Sequence, residues 1–238
     1  MMQKDVTEFN DGKTKIASVT KTKALLLCGT IACPLFMLAV ILEGAIRTDY
    51  SSFRYPLSSL SIGDLGWMQM SNFIVAGILL FVFSIGLKQI FNSSKRKFRG
   101  PLLISLVGIG LIGAGIFSTD PIYGYPKSKP LILAQFTIHG HLHDAFSILV
   151  FICLPAACFV FRKRFISTGE NVWAKYSIIS GFAFIVIFIL TSMGFKQLPW
   201  FVDFAGLFQR ICLTIGWTWV TLLALHLLRT PRGNSPAK

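Results

Sequence analysis

Hydrophobic and polar positions alternate along this chain in long blocks rather than residue by residue. Six blocks contain the roughly 17–25 apolar residues that a helix needs to cross the hydrocarbon core of a bilayer; they cover about residues 24–46, 67–90, 101–117, 139–161, 177–195 and 204–228. Backbone polar groups in lipid must be hydrogen-bonded within the chain, and a helix satisfies them segment by segment. The pattern therefore predicts an all-α fold, an integral membrane bundle of six transmembrane helices.

The polar segments at the two ends set the predicted domain organisation. We expect a cytoplasmic N-terminal tail over residues 1–23, a six-helix transmembrane domain over 24–228 and a cytoplasmic C-terminal tail over 229–238. The first apolar block follows a basic segment, as the core of a secretory signal does. It is longer than such a core, and Gly44-Ala45-Ile46 is a poor cleavage site. We therefore predict a retained first helix.

Composition and charge agree with a membrane protein. Of the 238 residues, 53% are hydrophobic and only 14% are charged, which excludes a soluble globular domain and a disordered chain. The net charge of +13 is explained by orientation. With both termini in the cytoplasm, 17 of the 23 Lys and Arg residues lie on the inner side, as the positive-inside rule requires. We expect a multi-pass protein of the cell membrane, typical of a bacterial inner membrane, with no nucleic-acid partner.

The polar residues that could carry chemistry collect on the predicted outer side. Six of the ten carboxylates and three of the four histidines lie there. Three stretches stand out: YS…PLSSLSIGDLG after the first helix, GIFSTDP after the third, and HG-x-LHD at the start of the fourth. The third helix also carries glycines, including Gly108, that give it a thin surface for close packing.

Together these three motifs resemble the bacterial and archaeal membrane-protein family called domain of unknown function 998. The resemblance extends from about Leu26 to Leu228, nearly the whole chain. It implies a multi-helix membrane fold. The family name implies no established activity, so function has to be argued from the residues.

Two histidines of the fourth helix form a candidate metal site. His139 and His143 are four residues apart and share one helix face. Two imidazoles and a carboxylate, from Asp120 or Asp64, form a common zinc arrangement, and a bound zinc would turn water into a nucleophile. We therefore consider Asp64 and Asp120 as catalytic residues. The alternatives are that the histidines only lie among lipid headgroups or relay protons, that Asp64 caps the second helix, and that Asp120 forms a turn.

Arg210 is a candidate binding residue, because it lies about six residues inside the last helix. A cation at that depth needs a partner or a watery cavity. Asp203, seven positions earlier, and Glu43 are the candidate partners. We predict that Arg210, with Asp203 and with Arg54 from the first loop, binds a phosphate or carboxylate. The alternatives are a buried ion pair that only holds helices together, or an Arg210 side chain that extends outward to the membrane surface.

These residues leave three functions open. The first is a metal-dependent hydrolase or transferase acting on a lipid or small polar substrate at the outer face. The second is a non-catalytic ligand binder or a transporter that uses the same polar site. The third is a structural protein whose polar residues serve folding. Membrane lipids are the expected partners in every case.

Overall fold

The chain is all-helical in the computed structural model, which describes residues 2–91, 98–122, 124–126 and 137–230, with side chains from residue 19 onward. Two short 3-10 helices, Leu57–Ser61 and Val202–Phe204, lie in the connections. The described residues also form six α-helices: α1 Met2–Ile46, α2 Gly66–Phe91, α3 Gly100–Ile116, α4 Ile138–Ser167, α5 Asn171–Phe195 and α6 Ala205–Arg229. The predicted number and order of helices are confirmed. Most of the predicted C-terminal tail, residues 231–238, lies outside the described residues.

Five of the described helices are long and apolar enough to cross a membrane. These spans are Val19–Ile46 within α1, all of α2, α4 and α5, and Val202–Arg229, which includes α6. The remaining helix, α3, is apolar but has only 17 residues, a length of about 26 Å. Large apolar side chains also cover the outside of the bundle, among them Ile31, Leu38 and Ile41 of α1. These features indicate a multi-pass membrane protein.

The six helices form a closed ring. Each helix packs against the next one in the chain, and α6 returns to pack against α1. The connection after α1 contacts the one after α3, where Thr119 bonds to Ser61, and the one after α5, where Asp203 pairs with Arg54. Three connections therefore meet at one end of the bundle, which we call the rim; it comprises residues 47–65, 117–122 and 196–204. The ring order brings the predicted site residues of the rim to a single end of the molecule.

Glycine allows α2 and α3 to approach each other closely. A Cβ atom built on Gly108 would lie 2.7 Å from the carbonyl oxygen of Gly77, and one built on Gly77 would lie 2.7 Å from the carbonyl oxygen of Gly108. Gly110 meets the backbone of Phe146 in α4 in the same way. The prediction that α3 offers a thin packing surface is confirmed. This contact fixes the end of α3 against α4, where the polar residues lie.

Candidate functional site: a central cavity

A cavity of about 680 Å³ lies at the centre of the ring, in the half next to the rim. All six helices contribute to its wall. In chain order, one apolar or aromatic side chain from each helix is Phe36, Phe73, Leu111, Phe151, Phe188 and Trp217. The interior of the cavity is therefore mainly apolar.

Polar side chains line the rim end of this cavity. Asp120 and Asp144 contribute carboxylates, and Lys196, the residue after α5, contributes an ammonium group. Asp144 and Lys196 are both exposed, and neither side chain belongs to the ion pairs found within the described residues. The cavity thus combines an apolar interior with a mouth that carries charges of both signs.

Asp120 is held at the start of α4. Its two carboxylate oxygens accept hydrogen bonds from the backbone N–H of Thr137, at 2.8 Å, and from the Thr137 hydroxyl, at 2.7 Å. Thr137 is the N-cap residue of α4 and accepts a hydrogen bond from the N–H of Gly140. A carboxylate at a helix N-terminus is stabilised by the helix dipole. Asp120 therefore both lines the cavity and fixes the end of α4, so a turn role and a functional role are compatible.

His143 faces the interior with a defined tautomer. The side chain is only 2% exposed, and its Nδ1 lies 2.9 Å from the carbonyl oxygen of Ala114 and 2.8 Å from that of Phe117. Both partners are acceptors, so Nδ1 must carry the proton. The ring caps the end of α3, and in a neutral imidazole Nε2 would then be the acceptor nitrogen of a residue that lines the cavity.

His139 does not share this environment. It is exposed, and its ring lies edge-on against Phe117, with ring centroids 5.6 Å apart. Within the described residues, no three His, Cys, Asp or Glu side chains come together as metal ligands. The predicted zinc set is therefore not assembled by this part of the chain, and metal binding by His139 and His143 stays a prediction.

Asp64 lies away from the cavity. It is exposed in the turn that precedes α2, and it is not among the cavity-lining residues. The hydroxyl of Ser61, three residues earlier, accepts a 3.4 Å hydrogen bond from the backbone N–H of Thr119. The rim loops are thus connected to each other at Ser61, while a catalytic role for Asp64 stays a prediction.

Asp203 pairs with Arg54 and not with Arg210. The distance between Arg54 Nη1 and Asp203 Oδ1 is 2.5 Å, and the two side chains are 38% and 70% exposed. The expected Asp203–Arg210 pair is wrong, because α6 begins only at Ala205 and Asp203 lies in the 3-10 turn before it. Neither member of the observed pair lines the cavity.

Arg210 binds the loop between α1 and α2. Its Nη1 donates to the carbonyl oxygens of Ser52, at 2.7 Å, and Tyr55, at 3.2 Å, and to that of Gly206 one turn earlier in α6. Its Nη2 donates to the Tyr50 hydroxyl at 2.5 Å. The partners of this cation are thus backbone and phenol oxygens rather than a carboxylate. A role for Arg210 in binding an anion stays a prediction, and the geometry favours the structural alternative.

Tyr50 connects Arg210 to a further residue of the loop. Its hydroxyl donates to the carbonyl oxygen of Pro56 at 3.0 Å while it accepts from Arg210. Burial raises the pKa of the Tyr50 hydroxyl, and the Arg210 charge only partly opposes this effect. The phenol therefore stays protonated and remains a donor at neutral pH.

The sequence did not predict the roles of Arg47 and of three residues that line the cavity. Arg47 donates to the carbonyl oxygens of Leu60 and Ile62, at 2.6 and 2.7 Å, and so holds the loop from its other side. Gln209 accepts the N–H of Leu57 at 2.8 Å and lines the cavity, as do Asp144 and Lys196. Only Asp144 had a signal, since it ends the HG-x-LHD motif.

Comparison with known proteins identifies a family but no characterised relative. The family model described as "Protein of unknown function (DUF998)" matches residues 30–226. No curated protein and no solved structure matches the chain. The family match covers most of the chain, includes all three motifs of the rim, and confirms the resemblance noted from the sequence. The chain therefore belongs to the DUF998 family of proteins of unknown function.

Proposed function

We propose that this protein binds an amphipathic membrane lipid in the central cavity. One apolar chain of the lipid lies among the six helices, and its headgroup lies at the rim. The observation that carries the proposal is the cavity itself, which is apolar inside and charged only at its mouth. Its volume of about 680 Å³ lies within the usual range for ligand pockets, about 300–1,000 Å³.

An unused hydrogen-bond donor supports an occupied cavity. The indole N–H of Trp217 is buried, has no partner among the described residues, and belongs to a side chain that lines the cavity. A buried donor without an acceptor costs about 1–3 kcal/mol. An oxygen atom of a ligand, or a water molecule that accompanies it, removes this cost.

The charges at the mouth favour a zwitterionic headgroup. Asp144 and Asp120 suit a positively charged group such as an ammonium, and Lys196 suits a phosphate. Arg210 and Arg54 are already engaged by the loop and by Asp203. Phosphatidylethanolamine has both required groups and is our choice of probe.

Filling the cavity is expected to displace the lipid. The Ala114 side chain lines the cavity and is 1% exposed, so Ala114→Phe places a ring inside it. We expect binding at least about tenfold weaker, a loss of about 1.4 kcal/mol. Native mass spectrometry of the detergent-purified protein measures the retained phosphatidylethanolamine. Ser105→Phe, on the same helix but outside the cavity lining, is the matched control, and equal lipid retention in the two variants would refute the proposal.

Catalysis on the bound lipid is the second candidate function. Its support is His143, which lines the cavity: with the proton on Nδ1, the Nε2 atom of the neutral ring would be the nitrogen able to act as a base. Hydrolysis or group transfer would use this base, with Asp120 close to the same mouth. Metal-assisted chemistry with zinc is a variant of this candidate.

A single substitution tests the catalytic candidate. The amide of His143→Asn retains a donor near the position of Nδ1 and removes Nε2. We expect this variant to bind lipid normally but to lose turnover by about 100-fold or more. The measurement is mass spectrometry of lipid products after incubation with phosphatidylethanolamine vesicles. If products form equally in the wild-type protein and in His143→Asn, or in neither of them, then His143 is not a catalytic base.

The orientation in the membrane is also part of this proposal. The excess of Lys and Arg near the other end of the bundle supports both termini in the cytoplasm and the rim on the outer face of the cell membrane. In this arrangement α3 is the sixth membrane-spanning helix, since a helix of about 26 Å can span the hydrocarbon core with slight local thinning of the bilayer. The lipid would then come from the outer leaflet.

A further inference from the structure

We propose that the lipid reaches the cavity sideways from the bilayer, through a gap between α4 and α5. This inference rests on the proposed function and adds the route by which the ligand arrives. We call the gap the lateral opening and define it by Asp144 and Ile148 of α4 and by Ser192 and Phe195 of α5. All four side chains line the cavity.

The cavity reaches the outer surface of the bundle at the lateral opening. Ile148 is 53% exposed although it forms part of the cavity wall. Asp144 is exposed as well, and Ser192 and Phe195 on the facing helix are only partly buried. A side chain that touches both the cavity and the surrounding membrane marks a place where the wall is incomplete.

The gap is closed further from the rim. The rings of Phe151 and Phe188 stack between α4 and α5, with their centroids 4.5 Å apart. Beyond this stack, the Phe159 ring lies 3.0 Å from the position of a Cβ atom on Gly181. The two helices are therefore in contact there, and the aromatic stack forms the lower edge of the opening.

The depth of the opening matches the hydrocarbon of one leaflet. Ile148 lies ten residues after Ile138, the first residue of α4, which is about 15 Å along the helix. The hydrocarbon core is about 30 Å thick, so Ile148 lies within the leaflet on the rim side. Asp144 is one turn closer to the rim, between Ile148 and the headgroup region. A lipid can thus slide in with its chain past Ile148 and its headgroup past Asp144.

Narrowing the opening tests the route separately from binding. We would substitute Ile148→Trp and, as a matched control, Ile152→Trp, one turn further along; Ile152 is 61% exposed and does not line the cavity. Each protein, purified with its bound lipid, is reconstituted into vesicles of isotopically labelled phosphatidylethanolamine and phosphatidylglycerol. Native mass spectrometry then follows the replacement of unlabelled by labelled lipid over time.

We expect Ile148→Trp to exchange lipid about tenfold more slowly, a barrier higher by about 1.4 kcal/mol, with unchanged final occupancy. Ile152→Trp should exchange at the wild-type rate. Wild-type exchange in Ile148→Trp would overturn the lateral route and leave the proposed function intact. Slow exchange in Ser58→Trp instead, at the rim side of the cavity, would also overturn it. Absence of bound lipid in the wild-type protein would refute the proposed function itself.

Discussion

Arg210→Ala should lower the free energy of unfolding by about 3 kcal/mol or more, which would make it one of the most damaging single substitutions at the rim. The wild-type side chain donates to three carbonyl oxygens and to the Tyr50 hydroxyl. Hydrogen bonds from a charged donor contribute about 1.5–3 kcal/mol each, and buried acceptors left without a donor add a penalty. Thermal unfolding of the detergent-solubilised protein measures the loss.

Arg54→Ala provides the matched control. Arg54 lies in the loop that Arg210 binds and also forms a charged contact, but its pair with Asp203 is largely exposed. Exposed ion pairs contribute only about 0–1 kcal/mol, so this variant should unfold close to the wild-type temperature. If Arg210→Ala unfolds like Arg54→Ala but loses lipid, then Arg210 is a ligand-binding residue, as the sequence alone suggested, and the structural role is refuted.

The helices could be predicted because lipid imposes a simple requirement. A span needs a minimum apolar length and internal hydrogen bonds, and both follow from the sequence. The last block, for example, was expected at 204–228 and forms α6 over Ala205–Arg229. Helix ends in such a protein often coincide with changes in polarity, and the pattern of blocks places most of them within a few residues. The main exception is α1, which begins at Met2 and so includes most of the residues expected in the N-terminal tail. The helices α4 and α5 also extend about six residues beyond their blocks at one end.

The partners of the rim cations could not be predicted, since most of these partners are backbone atoms. Arg210 and Arg47 bind carbonyl oxygens of residues 52, 55, 60 and 62, and a carbonyl has no sequence signature. Charge pairing was the only available guide, and it led to Asp203 as the partner of Arg210. The fold of the loop over the start of α6 decides the pairing instead.

Helical spacing alone also could not predict that the two histidines have different environments. His139 and His143 share a face in sequence, but only His143 is deep enough to reach the carbonyl groups at the end of α3. The cavity could not be predicted from the sequence either, because residues such as Phe36 and Leu111 are of the same types that fill a core without voids. Asp144 and Lys196 became significant only when the ring of helices placed them at one mouth.

Gly108→Val should destabilise the bundle by about 3 kcal/mol or more and also weaken lipid binding. Its Cβ atom would lie 2.7 Å from the carbonyl oxygen of Gly77 and 2.9 Å from the backbone nitrogen of Phe81. Overpacking against side chains costs about 1–3 kcal/mol, and backbone atoms cannot turn aside as side chains do. The helices α2 and α3 would have to separate, which moves the end of α3 away from His143.

Ser105→Val, three residues earlier on α3, tests whether added bulk alone explains the effect. Ser105 is only half-buried and its hydroxyl bonds to the carbonyl oxygen of Leu102 in its own helix, so this variant should keep most of its stability and its lipid. Thermal unfolding and the retained lipid are measured for both variants.

Because each of the two glycines approaches the backbone of the other, Gly77→Val should destabilise the protein as much as Gly108→Val. The double variant should lose less stability than the sum of the two single losses. Full additivity would mean that the two glycines do not share one contact, and the close approach of α2 and α3 would then not be what positions His143 at the cavity.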